Sequence, residues 1–83
     1  MSYVFSKHAL ALMELRNISK EMVENVLQNP GRIKDENGRK VFQSIVSFGT
    51  GKYLLRIFVN AENIPPVIIT VYKTSKINKY YES

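Results

Sequence analysis

Residues 67–73 read Val-Ile-Ile-Thr-Val-Tyr-Lys, a nearly continuous run of apolar, β-branched and aromatic side chains. A strand that is covered on both faces has few polar residues, so this run predicts a strand in a central position of a sheet. Residues 53–59, Tyr-Leu-Leu-Arg-Ile-Phe-Val, predict a neighbouring strand. Asn37-Gly38 is a strong hairpin signal, joining a short strand near residues 32–35 to a longer one over about residues 39–48. The second half of the chain therefore predicts an antiparallel meander.

The first half of the chain predicts a helical hairpin. Ser6 can cap a first helix over about residues 7–16, and Ser19 can cap a second helix over about residues 20–28. Apolar side chains recur at helical spacing in both segments. Asn29-Pro30-Gly31 ends the second helix.

This order of elements predicts an α+β fold in a single domain over residues 1–83, with two amino-terminal helices packed on one face of an antiparallel sheet of about four strands. Period-two alternation directs one set of strand residues toward the helices: Leu55, Ile57, Val59, Val67, Ile69 and Val71. The opposite, uncovered face then has Leu54, Arg56, Phe58, Ile68, Thr70 and Tyr72. Gln43 joins that face if Phe42 and Val46 point toward the helices. This mixture of cation, amide, hydroxyl and phenol among apolar neighbours predicts a binding surface.

The net positive charge of the chain lies in its second half. Residues 1–36 have five basic and five acidic side chains, whereas residues 37–83 have seven basic and two acidic ones, which accounts for the net charge of +5. Such an asymmetry favours a partner that is a polyanion or an acidic protein. The residues after the last strand combine lysines, hydroxyls and tyrosines, which suits phosphate contact and base stacking and also fits a solvated basic tail.

Several classes of site are disfavoured by composition. The chain has no cysteine and a single histidine, so no disulfide, metal site or cofactor is expected. No run approaches the roughly 20 apolar residues that cross a bilayer, and the amino terminus lacks the apolar region of a signal peptide. We therefore expect a cytoplasmic protein without a membrane interaction.

Arg56 is the first candidate for chemistry, because a cation in the middle of a predicted strand requires a specific environment. A guanidinium can bind a phosphate in a bidentate manner or stabilise the charge of a phosphorane-like transition state. The alternative is a structural arginine that stacks on Tyr72 or pairs with Glu62. His8 in the first helical turn is a candidate general base if that turn meets the sheet rim, and otherwise a histidine within the helix-sheet packing.

A resemblance adds to these observations. It rests on residues along nearly the whole chain: His8-Ala9, Met13, Arg16-Asn17-Ile18-Ser19, Asn29-Pro30, Gly38-Arg39-Lys40-Val41, Leu55-Arg56, Pro65-Pro66-Val67 and Thr70-Val71-Tyr72-Lys73-Thr74-Ser75-Lys76. With these motifs the chain resembles small bacterial proteins of unknown function related to the RelE/ParE toxin superfamily. The resemblance implies two helices on a curved antiparallel sheet, and either messenger RNA cleavage without a metal or inhibition of gyrase, with a small antitoxin protein as partner. It also implies that Arg56, Lys73 and Tyr80 activate the ribose hydroxyl, stabilise the phosphorane and protonate the leaving oxygen.

Two functions follow as hypotheses. The first is a toxin-like, metal-independent endoribonuclease that acts on messenger RNA, with Arg56, Lys73, Tyr80 and His8 as candidate catalytic residues. Its expected RNA contacts are Gln43, Thr70, Tyr72, Ser75, Lys76, Lys79 and Tyr81. The second is a non-catalytic interaction module whose basic face binds an acidic antitoxin, gyrase or another protein.

Overall fold

The computed structural model describes residues 3–81 and has the predicted α+β class. In chain order the elements are β1 (Val4–Phe5), α1 (Lys7–Leu15), α2 (Lys20–Gln28), β2 (Arg32–Glu36), β3 (Arg39–Phe48), β4 (Gly51–Asn60), β5 (Val67–Thr74) and α3 (Ile77–Tyr81). The sheet has five strands, so the expectation of about four is wrong. The additional strand, β1, has two residues, which are too few to show a period in the sequence. Within residues 3–81, no helix combines the length and apolarity needed to span a bilayer.

Two serine side chains cap the first two helices. The Ser6 hydroxyl accepts a hydrogen bond from the Ala9 N–H at 3.0 Å, and the Ser19 hydroxyl accepts one from the Met22 N–H at 3.1 Å. Each bond satisfies a backbone donor that has no partner within its helix. Between the helices, Asn17 has a φ of 57°, a left-handed conformation that asparagine tolerates.

The strand order is β1-β5-β4-β3-β2, which places β4 at the centre of the sheet. β1 pairs with β5 in parallel, and the other neighbours are antiparallel. Asn37 and Gly38 connect β2 to β3 with φ values of 50° and 77°, as a two-residue hairpin of positive φ requires. Four register partners form a row across β2, β3, β4 and β5: Arg32, Gln43, Arg56 and Tyr72. We call them the cross-strand row.

The hydrophobic core lies between the first two helices and the sheet. Its buried residues are Ala9, Met13, Ile18, Val23, Val26, Leu27, Leu55, Ile57, Val59, Ile68 and Val71. The face of β4 that carries Leu55, Ile57 and Val59 is therefore the helix face, as alternation predicts.

The prediction for the first half of β5 is wrong. Ile68, expected on the uncovered face, is fully buried in the core, whereas Val67 and Ile69 are only half-buried. The cause is a β-bulge, because Phe58 pairs with Thr70 while the next residue, Val59, pairs with Ile68. One extra residue on β5 reverses the alternation before that point. After it, Thr70 and Tyr72 lie on the face that carries Arg56, as predicted.

Candidate functional site

Arg56 lies at the centre of the sheet on the face opposite the core, and its side chain is only 3% exposed. Its Nε donates a hydrogen bond to Gln43 Oε1 at 2.8 Å, and its Nη1 donates one to the Tyr72 hydroxyl at 2.6 Å. Its Nη2 forms an ion pair with Glu36 Oε2. The three guanidinium nitrogens are therefore each bound by a different side chain: an amide, a phenol and a carboxylate. These contacts compensate the cost of burying the cation.

Aromatic rings surround the same guanidinium. The Arg56 Cζ atom lies 4.8 Å from the ring centroid of Tyr80, 5.2 Å from that of Phe58 and 5.7 Å from that of Tyr72. The Phe58 and Tyr72 rings stack with centroids 6.0 Å apart. Such contacts stabilise a cation by the negative potential of the ring faces. We refer to Glu36, Gln43, Arg56, Tyr72 and Tyr80 together as the Arg56 cluster.

Glu36 is a site residue that the sequence analysis missed. It is the last residue of β2, and the structural arginine hypothesis had named Glu62 as the partner of Arg56. The Glu36 side chain is 32% exposed, so its carboxylate joins the buried guanidinium to solvent. The sequence contains a signal for the position of Glu36. The Asn37-Gly38 turn pairs Glu36 with Arg39 and so determines the sheet face on which Glu36 lies.

Helix α3 covers the Arg56 cluster. The Tyr80 carbonyl oxygen accepts hydrogen bonds from Lys34 Nζ at 3.1 Å and from Gln43 Nε2 at 3.3 Å. The Tyr81 carbonyl oxygen accepts one from Arg32 Nη1 at 2.7 Å. Three donors from β2 and β3 therefore hold the last two carbonyl groups of the helix.

The predicted catalytic residues fall into two groups. Arg56 and Tyr80 meet in the Arg56 cluster. Lys73 pairs with Leu55 on the helix face, where its Nζ lies 3.8 Å from the ring centroid of Phe48. His8 is exposed on α1, the helix that packs on that same face. The structure therefore does not bring Lys73 or His8 to Arg56.

The predicted RNA contacts differ in accessibility. Gln43 is fully buried within the Arg56 cluster, and Thr70 and Tyr72 are half-buried on its face. Three predicted contacts are exposed around the start and middle of α3: Ser75, Lys76 and Lys79. Tyr81 is half-buried, and its hydroxyl lies against the Cα of Gly31, where a Cβ atom would collide with it.

A polar cluster of this kind can bind an anion and transfer protons, since it combines a guanidinium, a carboxylate and two phenols. Within residues 3–81, no three histidine, aspartate or glutamate side chains lie close enough together to hold a metal ion.

Comparison with known proteins gives one match. The sequence pattern of a domain of unknown function (DUF4258) matches residues 5–73, which include all of the Arg56 cluster except Tyr80. No curated protein and no solved structure gives a significant match.

Proposed function

The chain belongs to the DUF4258 family, and from the chemistry of its Arg56 cluster we propose that it is a metal-independent endoribonuclease of the RelE type that cleaves messenger RNA in the cytoplasm. The observation that supports this most directly is the pairing of a buried guanidinium, Arg56, with a partly exposed carboxylate, Glu36. The resemblance to the RelE/ParE superfamily and the net charge of +5 also support it.

Cleavage requires a base, a charge-stabilising group and an acid. When a phosphate oxygen of the RNA replaces Glu36 at Arg56 Nη2, the Glu36 carboxylate becomes available to accept the proton of the ribose 2′-hydroxyl. The 2′-oxygen then attacks phosphorus, and Arg56 stabilises the additional negative charge of the phosphorane. Glu36 is thus the proposed base, and Lys73, one of the three residues that the resemblance implied for catalysis, lies on the other face of the sheet.

The phenol of Tyr72 is the proposed proton donor. Its hydroxyl accepts the hydrogen bond from Arg56 Nη1, so its own O–H is available to donate to the leaving 5′-oxygen as the P–O5′ bond breaks. The products are a 2′,3′-cyclic phosphate and a 5′-hydroxyl. The proton on Glu36 returns to the Tyr72 phenolate through water, which restores both groups.

The test is cleavage of a defined RNA by purified protein in the presence of EDTA, with analysis of the product ends. Glu36→Gln should lower the single-turnover rate by about 10²- to 10⁴-fold, the usual contribution of a general base. Asp35→Asn is the matched control, because Asp35 is the neighbouring carboxylate on β2, pairs with Lys40 and is 73% exposed. Equal rates for Glu36→Gln and the parent, or no cleavage by the parent, would contradict the proposal.

A different observation favours protein binding as a second candidate. A groove of about 410 Å³ extends from Ile33 on the edge strand β2 across β3 and β4, and it is lined by Tyr3, Ile33, Lys40, Phe42, Val59, Ala61 and Pro66. Ile33 is 49% exposed there. An apolar groove with a lysine in its lining suits an extended acidic segment of a small antitoxin protein. Ile33→Ser should then abolish binding of that partner without changing RNA cleavage, whereas an unchanged affinity would exclude this groove as the site.

A further inference from the structure

Helix α3 lies on the sheet face that carries Arg32, Lys34 and Arg56, and polar contacts attach it there. It has five residues, none of them buried. Its last two carbonyl oxygens accept hydrogen bonds from Arg32, Lys34 and Gln43. These donors belong to the sheet, and two of them, Arg32 and Lys34, are cations. The Arg32 guanidinium donates here to the neutral carbonyl group of Tyr81.

We propose that Arg32, Lys34, Gln43 and Arg56 form a binding track for the phosphodiester backbone of single-stranded RNA, and that α3 occupies this track in the free protein. The carbonyl oxygens of Tyr80 and Tyr81 lie where phosphate oxygens bind. This inference rests on the proposed function, since it identifies the substrate contacts of that site and their regulation. It also adds Arg32 and Lys34, which the sequence analysis had not assigned to RNA.

The register of the strands supports a continuous track. Arg32, Gln43 and Arg56 are successive members of the cross-strand row on β2, β3 and β4. Neighbouring strands are separated by about 4.8 Å, so the two arginines are about 10 Å apart across the sheet. Lys34 is two residues from Arg32 on β2 and faces the same side. A polyanion that crosses the sheet along the row meets each donor in turn.

RNA can displace α3 because its phosphate oxygens are better hydrogen-bond acceptors for a cation than the carbonyl oxygens of the helix are. A hydrogen bond from the Arg32 guanidinium to an ionised phosphate is stronger than its bond to the neutral Tyr81 carbonyl oxygen. A five-residue helix has little stability of its own, because nucleation is costly and few backbone bonds follow. Tyr80, which lies 4.8 Å from the Arg56 guanidinium, leaves together with the helix and opens Arg56 to a phosphate.

Truncation after Lys76 provides a charge-neutral test. The removed residues 77–83 include one lysine and one glutamate, so the net side-chain charge is unchanged. The probe is a fluorescent 2′-O-methyl RNA oligonucleotide, which binds as RNA does and has no 2′-hydroxyl to react. We expect the truncated chain to bind it about tenfold more tightly than the full chain, since no helix competes for the track. The slope of log affinity against log salt should be nearly the same for both chains, because the bound oligonucleotide makes the same phosphate contacts once α3 has been displaced.

Two double substitutions identify the track. Arg32→Gln with Lys34→Gln in the truncated chain should remove the gain in affinity. Lys7→Gln with Lys20→Gln is the matched control, because it removes the same charge from exposed positions on α1 and α2 and should retain the gain. If the control loses the gain to the same extent, general charge and not the track is responsible.

A truncated chain that melts cooperatively but binds the oligonucleotide equally or more weakly would overturn the proposal. If the truncated chain does not fold, the proposal is tested by NMR on the full chain. Contacts between the Tyr80 ring and the Arg56 guanidinium should disappear when the oligonucleotide saturates the protein, and their persistence would overturn the proposal. Cleavage is not used in either readout, so failure of the track and failure of the ribonuclease proposal are distinguishable.

Discussion

Arg56 is a cation that depends on its partners. At 3% exposure it has almost no water around it, and its stability in the fold comes from Glu36, Gln43 and Tyr72. Removal of the arginine leaves an apolar gap beside a carboxylate and an amide that have lost their donor. The two partners differ, since Glu36 still reaches solvent whereas Gln43 is fully buried.

We predict that Arg56→Ala lowers the free energy of unfolding by about 2–3 kcal/mol, the value for a buried charged network discounted for the exposure of Glu36. For a domain of this size that corresponds to a decrease of roughly 10–20 °C in Tm. Glu36→Gln should cost less, because the amide retains an acceptor for Arg56 and the charge it removes is partly solvated. Thermal melting of both variants checks this, and a Tm of Arg56→Ala within a few degrees of the parent would contradict it. Because Arg56→Ala is expected to be less stable, its loss of cleavage must be interpreted together with its melting curve.

Four of the five members of the Arg56 cluster could be named as candidate site residues from the sequence, and Glu36 could not. A cation within an apolar strand marked Arg56, and alternation placed Gln43 and Tyr72 beside it. The same alternation places Lys73 with Val71 on the helix face, so periodicity opposed the role that the resemblance gave to Lys73. Glu36 was missed because its contact with Arg56 spans from β2 to β4, and local pattern does not show which long side chains meet across an intervening strand.

Among the elements, the two capped helices permit a direct comparison. The Ser6 hydroxyl caps α1 and also donates a hydrogen bond to the Ile69 carbonyl oxygen at 3.1 Å, so it joins the helix to β5. The Ser19 hydroxyl caps α2, and its bond to the Met22 N–H is exposed. We predict that Ser6→Ala costs about 2 kcal/mol and Ser19→Ala about 1 kcal/mol. Urea unfolding measures both, and equal costs would show that the bond to Ile69 contributes nothing.

Gly31 lies beside the side chain of Tyr81, the last residue of α3. A Cβ atom there would collide with the Tyr81 hydroxyl, while its N–H donates to Ser44 Oγ at 2.7 Å. We predict that Gly31→Ala displaces Tyr81, loosens α3 and raises the affinity of the full chain for the 2′-O-methyl oligonucleotide roughly fivefold. In the chain truncated after Lys76, which lacks Tyr81, the same substitution should leave the affinity unchanged. A gain in both backgrounds would place the effect elsewhere.

The elements that were predicted correctly have local causes. Serine caps, Asn17 and the Asn37-Gly38 turn specify their backbone conformations within a few residues. The missed features are set by distant parts of the chain. β1 exists because it pairs with β5, and α3 lies on the sheet because β2 and β3 provide donors for its carbonyl groups. A cluster of lysines and tyrosines at the end of a chain does not reveal that its tyrosines will turn back onto a sheet.

In the molecule as a whole, the two faces of the sheet have different roles. One face packs on the helices and supplies the core, and the other carries the Arg56 cluster under a single short helix. The charge asymmetry along the sequence does not follow this division, since Lys73 of the basic half lies on the helix face and Arg32 and Lys34 of the neutral half lie under α3.

We predict a steep dependence of RNA affinity on salt for the full chain. Three to five phosphate contacts give a slope of log affinity against log salt of roughly −2 to −3.5 on single strands. Fluorescence anisotropy at several salt concentrations measures it. An affinity that is unchanged between low and physiological salt would remove electrostatics as the basis of binding.

Because of the bulge at Ile69, β5 has one residue more than a regular ladder needs, and the residues on either side of it still lie on the correct faces. Ile68 and Thr70 already pair with consecutive residues of β4, so Ile69 is an inserted position between two correct halves of the strand. A relative with one residue fewer at this point would have a regular ladder, with an equivalent of Ile68 still in the core and an equivalent of Tyr72 still beside the arginine. A one-residue gap at this position in an alignment therefore indicates no loss of the site, whereas a gap of one residue between Thr70 and Tyr72 would exchange the two faces.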